Sequence, residues 1–234
     1  MNDTKPLYDP PTVIGIFIHQ ARRFGDRPLS LAKSGGIWET KTWRQSLEML
    51  PAGVMGLVDL GFKKGDTVGI ASRTRREWSE ADLTILTAGG VTVGLYPSAS
   101  LWEMTHIVSH SGLQICFVED DALLDKLITV QAKTGLPKTI ILFEANRKSL
   151  PAGVITLEDL ITRGRNTHQA DPTRFEAIWQ AVRPEDIATI AYTSGTTGPP
   201  KGPSSHTRIF IIRSSTPQRC TLTQKATLAS PFCR

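Results

Sequence analysis

Asp66–Ser100 reads DTVGIASRTRREWSEADLTILTAGGVTVGLYPSAS. Two strand-like apolar runs, DTVGIAS and VTVGLY, flank a helical pattern, RREWSEADLTILTAGG, that ends in a glycine pair. The rhythm then repeats. SLWEMTHIVSHSG is a helix with Ser100 as its expected cap, and QICFVED is a strand. DALLDKLITVQAKTG is a helix and KTIILF a strand. ITLEDLITRGR reads as a short helix and the polar NTHQADPTRFEAI as a loop before another helix. PEDIATIAYTSG is a last strand. Strand-then-helix units in series predict an α/β fold, a mostly parallel sheet with flanking helices running from about Asp66 to Ser194. In such sheets ligands bind at the carboxyl ends of the strands.

Upstream of Gly65 the pattern differs. VIGIFIHQARRF, residues 13–24, carries apolar residues at helical spacing. PLSLAKSGGIWETKTW predicts a hairpin turning at Ser34-Gly35-Gly36. Thr42 has the character of a helix N-cap for WRQSLEMLPAGVMGLVDLGF. Pro51 is expected to kink that helix or delay its start, and Gly61 to end it.

The chain has 234 residues, 40% hydrophobic and 21% charged, an ordinary globular composition for one large or two small domains. The net charge of +5 equals the five basic residues after Gly202, namely Arg208, Arg213, Arg219, Lys225 and Arg234, with no acid among them. The body is neutral, which argues against a nucleic-acid partner. Cys116, Cys220 and Cys233 have neither metal nor redox spacing, as expected in a reducing compartment. MNDTKPLYDP lacks a signal pattern, and apolar runs such as TIILF fall far short of a transmembrane segment. The expected location is cytoplasmic, with at most a peripheral contact to a membrane.

Chemistry concentrates in IAYTSGTTGPPKG, Ile190–Gly202. Glycines let a backbone approach a ligand closely, and hydroxyls with free N–H groups surround phosphate oxygens. Lys201 adds a mobile positive charge. A strand leading into such a segment is a polyphosphate-binding arrangement. It is not a Walker A loop, because Pro199 and Pro200 separate Gly198 from Lys201 and disfavour a helix there. The bland alternative is a surface turn. Elsewhere, Trp78 and Trp102 read as packing groups and Cys116 as an inert core residue. His106 and His110, one turn apart, read as structural rather than metal ligands, and Arg73, Arg75 and Arg76 as a solvated helix start.

YTSGTTGPPKG closely resembles the signature of the adenylate-forming (AMP-binding) superfamily: acyl-CoA synthetases, luciferases and peptide-synthetase adenylation domains. GFKKGDTVGIAS, RREWSEADLTILTAGGVTVGLYPSAS and HIVSHSGLQICFVED resemble the front part of long-chain fatty-acyl-CoA synthetases. Glu77-Trp78, Tyr96-Pro97 and His110-Ser111 favour that branch over a peptide-synthetase domain. The resemblance implies an acid–thiol ligase that uses ATP, Mg²⁺ and coenzyme A, with a fatty acid as substrate. By carry-over Thr193, Ser194, Gly195, Thr196, Thr197, Gly198 and Lys201 line the polyphosphate, with Thr193 nearest the metal. No catalytic residue is carried over. The resemblance spans residues 13–202, so residues 1–202 are expected to be an incomplete N-terminal portion of the family's large domain. Residues 203–234 form a divergent basic tail, expected to be disordered, a marginal strand or out-of-frame sequence. A fragment of this kind is expected to be inactive alone, with at best a residual phosphate-binding loop.

Overall fold

The computed structural model describes residues 11–34, 36–192 and 204–206. A helix–hairpin–helix section comes first: α1 (Val13–Phe24), β1 (Pro28–Ser34), β2 (Ile37–Thr42) and α2 (Trp43–Asp59). The alternating section follows as β3 (Thr67–Ala71), α3 (Arg76–Thr87), β4 (Val91–Leu95), α4 (Leu101–Ser111), β5 (Ile115–Val118), α5 (Asp121–Thr134) and β6 (Thr139–Leu142). It ends with β7 (Val154–Thr156), α6 (Leu157–Ala170), α7 (Thr173–Gln180), β8 (Ile187–Ile190) and β9 (Ser204–His206).

Side-chain chemistry sets the helix boundaries. Thr42 accepts the Gln45 N–H at 3.2 Å while the Gln45 side chain accepts the Thr42 N–H at 2.9 Å, a reciprocal cap that starts α2 at Trp43. The same arrangement opens α4 at Ser100 and Glu103. Past the end of α2, Gly61 adopts φ +86°, and Phe62 N–H donates to Leu57 O at 3.1 Å. A residue with a Cβ would be strained in that left-handed turn.

The large sheet has the order β7-β6-β5-β3-β4-β8-β9. Its first six strands are parallel, and β9 runs antiparallel to β8. Strand alternation sends successive residues to opposite faces. Val68, Ile70, Ile115, Phe117 and Ile141 pack with α1, α2, α3 and α6 on one side. Ala71, Cys116, Val118, Ile140 and Leu142 pack with α4 and α5 on the other. The fold is thus α/β with helices on both faces of a parallel sheet. Cys116 is fully buried, and burial pushes its thiol well above the usual range, so it is an inert core group.

Four local expectations need correction. α2 begins at Trp43 and carries Pro51 in its interior, so the proline does not delay its start. The cap at Thr42 and the buried Leu50, Val54 and Leu57 hold the helix across that residue. Asn166–Ala170 is helical rather than a loop, because the helix opened by Thr156 and Asp159 runs on to Ala170. The three-residue β7 completes the sheet beside β6 and was too short to register as a strand. Trp102 is 61% exposed and stacks on His106, so it is not a core group. Trp78 does pack against the core. Among the described residues no helix is long and apolar enough to cross a membrane.

Candidate functional site

Because the strands are parallel, β3, β4, β5, β6 and β8 all end on one edge of the sheet. The chain leaves β3 towards β4 and leaves β5 towards β6, in opposite directions from two adjacent strands. That reversal opens a crevice at the carboxyl ends of β3 and β5. Here the crevice is filled by charge pairing. The nearly buried Glu119 carboxylate, just past β5, accepts the Arg73 N–H at 2.7 Å and two guanidinium bonds at 2.8 and 2.6 Å. The Ser72 hydroxyl adds a bond at 3.3 Å. Burial pushes the Glu119 carboxyl up, but Arg73 and the other donors outweigh it and hold the group below its ordinary value.

The neighbouring arginines are paired as well. Arg75 bonds Glu77 at 2.7 Å and Glu144 at 2.5 Å, and Arg76 donates to the Glu39 carbonyl at 2.7 Å. Arg75 and Arg76 are only 21% and 20% exposed, so the expected solvated helix start holds for Arg73 alone. These pairs border a groove of about 720 Å³ between the hairpin and the start of α3. Its cations, Lys33, Arg75 and Arg76, are matched by Glu39, Glu77 and Glu144, which leaves no net charge to attract a polyphosphate.

The Glu119 cluster gives a pH-dependent prediction. A carboxyl whose folded pKa is lowered contributes stability above its unfolded value, and that stability is lost as pH falls through the folded pKa. Glu119→Gln is expected to cost about 1 kcal/mol at neutral pH, since most of the Arg73 side chain is in water. The cost should shrink below about pH 4, where the unfolded carboxyl is protonated. Urea unfolding of both proteins at pH 7 and near pH 3 measures it. An equal cost at both would rule out the charged pair as its source.

A second group of contacts lies between β4 and β8. Thr189 donates its hydroxyl to the Thr92 carbonyl at 3.0 Å, and the Thr92 hydroxyl donates to Asp82 at 2.7 Å. Burial pushes the Asp82 carboxyl up, partly offset by that hydroxyl. This relay ties β8 through β4 to α3. The ladder with β4 ends at Ile190, and the chain continues through Ala191 to the buried Tyr192. The Tyr192 hydroxyl lies 2.7 Å from His110 Nδ1, and the two rings meet edge to face at 5.7 Å. His110 stacks on His106, and His106 on Trp102.

Thr193, Ser194, Gly195, Thr196, Thr197, Gly198 and Lys201 all lie outside the described residues. Their anchors do not. Ile190 at one end is register-paired with Ser204 at the other, so the segment leaves and rejoins the sheet at neighbouring strands. Sequence reading had placed the two histidines as structural, and His110 does hold Tyr192. It had missed Glu119. The available signal was an acid directly after the strand QICFV, beside a Ser-Arg pair directly after the strand TVGIA.

Comparison with known proteins agrees with this fold. The family model described as AMP-binding enzyme matches residues 17–219. The human long-chain-fatty-acid–CoA ligase ACSBG2 is 29% identical over 218 residues, covering 92% of this chain and 32% of that protein. The Mycobacterium bovis long-chain-fatty-acid–CoA ligase FadD15 is 31% identical over 167 residues, covering 71% of this chain and 26% of that protein. Among solved structures, the anthranilate CoA ligase AuaEII in complex with anthranoyl-AMP superposes with a TM-score of 0.67 at 19% identity, over 86% of this chain and 35% of that one. A Brucella canis acyl-CoA synthetase gives 0.65 at 20% identity, over 84% and 34%. The chain spans about a quarter to a third of the length of these relatives. With a glycine–threonine signature issuing from the carboxyl edge of a doubly wound sheet, and a family match over most of its length, this chain belongs to the AMP-binding enzymes.

Proposed function

We propose that this chain carries the polyphosphate-binding part of a long-chain fatty acid–CoA ligase. In this reading Thr193, Ser194, Gly195, Thr196, Thr197, Gly198 and Lys201 surround the phosphates of ATP. Mg²⁺, held beside Thr193, would offset phosphate charge. The fatty-acid carboxylate attacks the α-phosphate, and pyrophosphate leaves. The coenzyme A thiol then attacks the acyl carbonyl of the adenylate, and AMP departs. Donors aimed at the phosphates favour the charge that builds in the first step. The observation that supports the reading is the pairing of Ile190, the last residue of β8, with Ser204, the two residues lying on either side of the signature segment. The names of the ACSBG2 and FadD15 relatives support a fatty acid as the acid substrate.

The proposal divides the chain into a body, residues 1–202, and a basic tail, residues 203–234. It puts the protein in the cytoplasm, with no more than peripheral contact to a membrane. It also holds that these 234 residues do not turn over alone. The loop supplies phosphate donors, whereas adenylation also needs the acid oriented against the α-phosphate, and thioester formation needs a site for the acceptor thiol. Losing one oxyanion-type donor costs on the order of 10²–10³ in rate, and losing orientation can cost more. Purified chain with ATP, Mg²⁺ and a long-chain fatty acid is therefore expected to release no measurable acid-dependent pyrophosphate. Turnover that disappears in Lys201→Ala would contradict this.

A further inference from the structure

We infer that the β1–β2 hairpin is a membrane anchor that inserts Leu31, Ile37 and Trp38 into the headgroup region of a lipid surface. The inference gives a surface to the peripheral membrane contact of the reading above, and rests on that reading only for the lipid nature of the acid substrate. Leu31, Ile37 and Trp38 are 63%, 70% and 66% exposed. Tyr96, Trp102 and Ile187, the other large apolar side chains exposed among the described residues, lie on other parts of the fold. Single exposed apolar residues are ordinary, but three gathered on one hairpin mark an interaction surface.

Their arrangement selects the partner. Ser34 is paired with Ile37, Lys33 with Trp38 and Leu31 with Thr40. Paired residues share a face of the ribbon, and consecutive residues of a strand do not. Trp38, Lys33 and Leu31 therefore lie on one face and Ile37 on the other. A flat protein surface covers one face of a ribbon, whereas a fluid apolar phase surrounds both. Further from the turn the ribbon becomes polar and is fastened to the body. Arg76 donates to the Glu39 carbonyl at 2.7 Å, Lys41 pairs with the Glu80 carboxylate, and Trp43 N–H donates to Arg27 O at 3.2 Å. From Leu31 to Ser34 the strand rises roughly 10 Å, the depth of an interfacial insertion. The ribbon has only two strands, and its free edges keep it at that depth, because unpaired backbone groups are not tolerated in hydrocarbon. Trp38 can leave its indole N–H in the polar layer, and Lys33 can reach lipid phosphate with its ammonium.

The test uses the full chain and vesicles of phosphatidylcholine alone at about 0.5 M salt, where screening removes most of the attraction of basic residues to a surface. Co-sedimentation is expected to show binding. Ile37→Ser and Trp38→Ser should each weaken it about tenfold, with urea midpoints unchanged because both side chains are exposed. Phosphatidylcholine brominated on its acyl chains should quench tryptophan emission in the parent and in Trp102→Phe, and most of that quenching should be lost in Trp38→Phe. Binding that requires anionic lipid and vanishes in salt would overturn the inference. So would quenching that survives Trp38→Phe, or a dimer that Ile37→Ser dissolves in the absence of vesicle binding, which would make a second copy the occupant. A chain that binds vesicles but no pyrophosphate would overturn the ligase reading alone, and one that binds pyrophosphate but no vesicles would overturn only this inference.

Discussion

Gly164→Ala is expected to destabilise the protein by about 3 kcal/mol or more, the upper end of what overpacking costs. α6 crosses α2 at backbone contact. A Cβ on Gly164 would lie 1.7 Å from the Ala52 carbonyl oxygen and 2.6 Å from the Gly56 nitrogen. A Cβ on Gly56 would in turn meet the Leu160 carbonyl oxygen at 2.5 Å. These are backbone atoms of two helices, not the ends of flexible side chains, so relief requires the helices to separate. Separation would loosen Leu50, Val54, Leu57 and Leu160, which share one core with β3 and β5. Alanine gains about 1 kcal/mol over glycine in intrinsic helix preference, too little to compensate. Gly94→Ala is the control, because nothing lies within 4 Å of its would-be Cβ. It is expected to stay within about 0.5 kcal/mol of the parent. Urea midpoints of the three proteins decide the matter, and a Gly164→Ala protein as stable as Gly94→Ala would mean that the two helices do not meet this closely.

That contact illustrates what the sequence conveys and what it hides. The alternation of strands and helices from Asp66 onward is local, since each element announces itself through periodicity and its caps. Ser100, Thr42 and Gly61 were legible for the same reason: a cap is chemistry between residues three or four apart. The glycines of PAGVMG were legible only as part of a helix. Gly53 meets Thr84, and Gly56 meets Leu160 and Gly164 far along the chain, and no local pattern names these partners. The arginines after β3 were misread for a related cause. Arg75 and Arg76 look like surface charges until the fold brings Glu144 and Glu39 to them. Trp102 shows the converse, since its helical position suggested packing while the fold turns it outward. The glycine–threonine signature was legible as a mark of the family, because its residue order is distinctive. Its residues lie outside the described ones, and the structure shows only what flanks them, Tyr192 against His110 and Ser204 paired with Ile190.

Lys201→Ala is expected to weaken polyphosphate binding about 10- to 100-fold. A hydrogen bond to a charged group contributes about 1.5–3 kcal/mol, and an ammonium facing a polyphosphate adds charge that a backbone N–H cannot supply. The hydroxyls and backbone donors of the segment would remain, so residual binding should persist. Thr197→Ala is expected to reduce affinity less, because it removes one neutral donor. The deciding measurement is calorimetric titration of the purified 234-residue chain with pyrophosphate, then with ATP and Mg²⁺, beside the Lys201→Ala chain under the same conditions. The account predicts weak, saturable, one-site binding to the parent and a loss of at least tenfold in the variant. No saturable binding to the folded parent, or equal binding by both chains, would contradict the assignment of Thr193–Lys201 as the polyphosphate site.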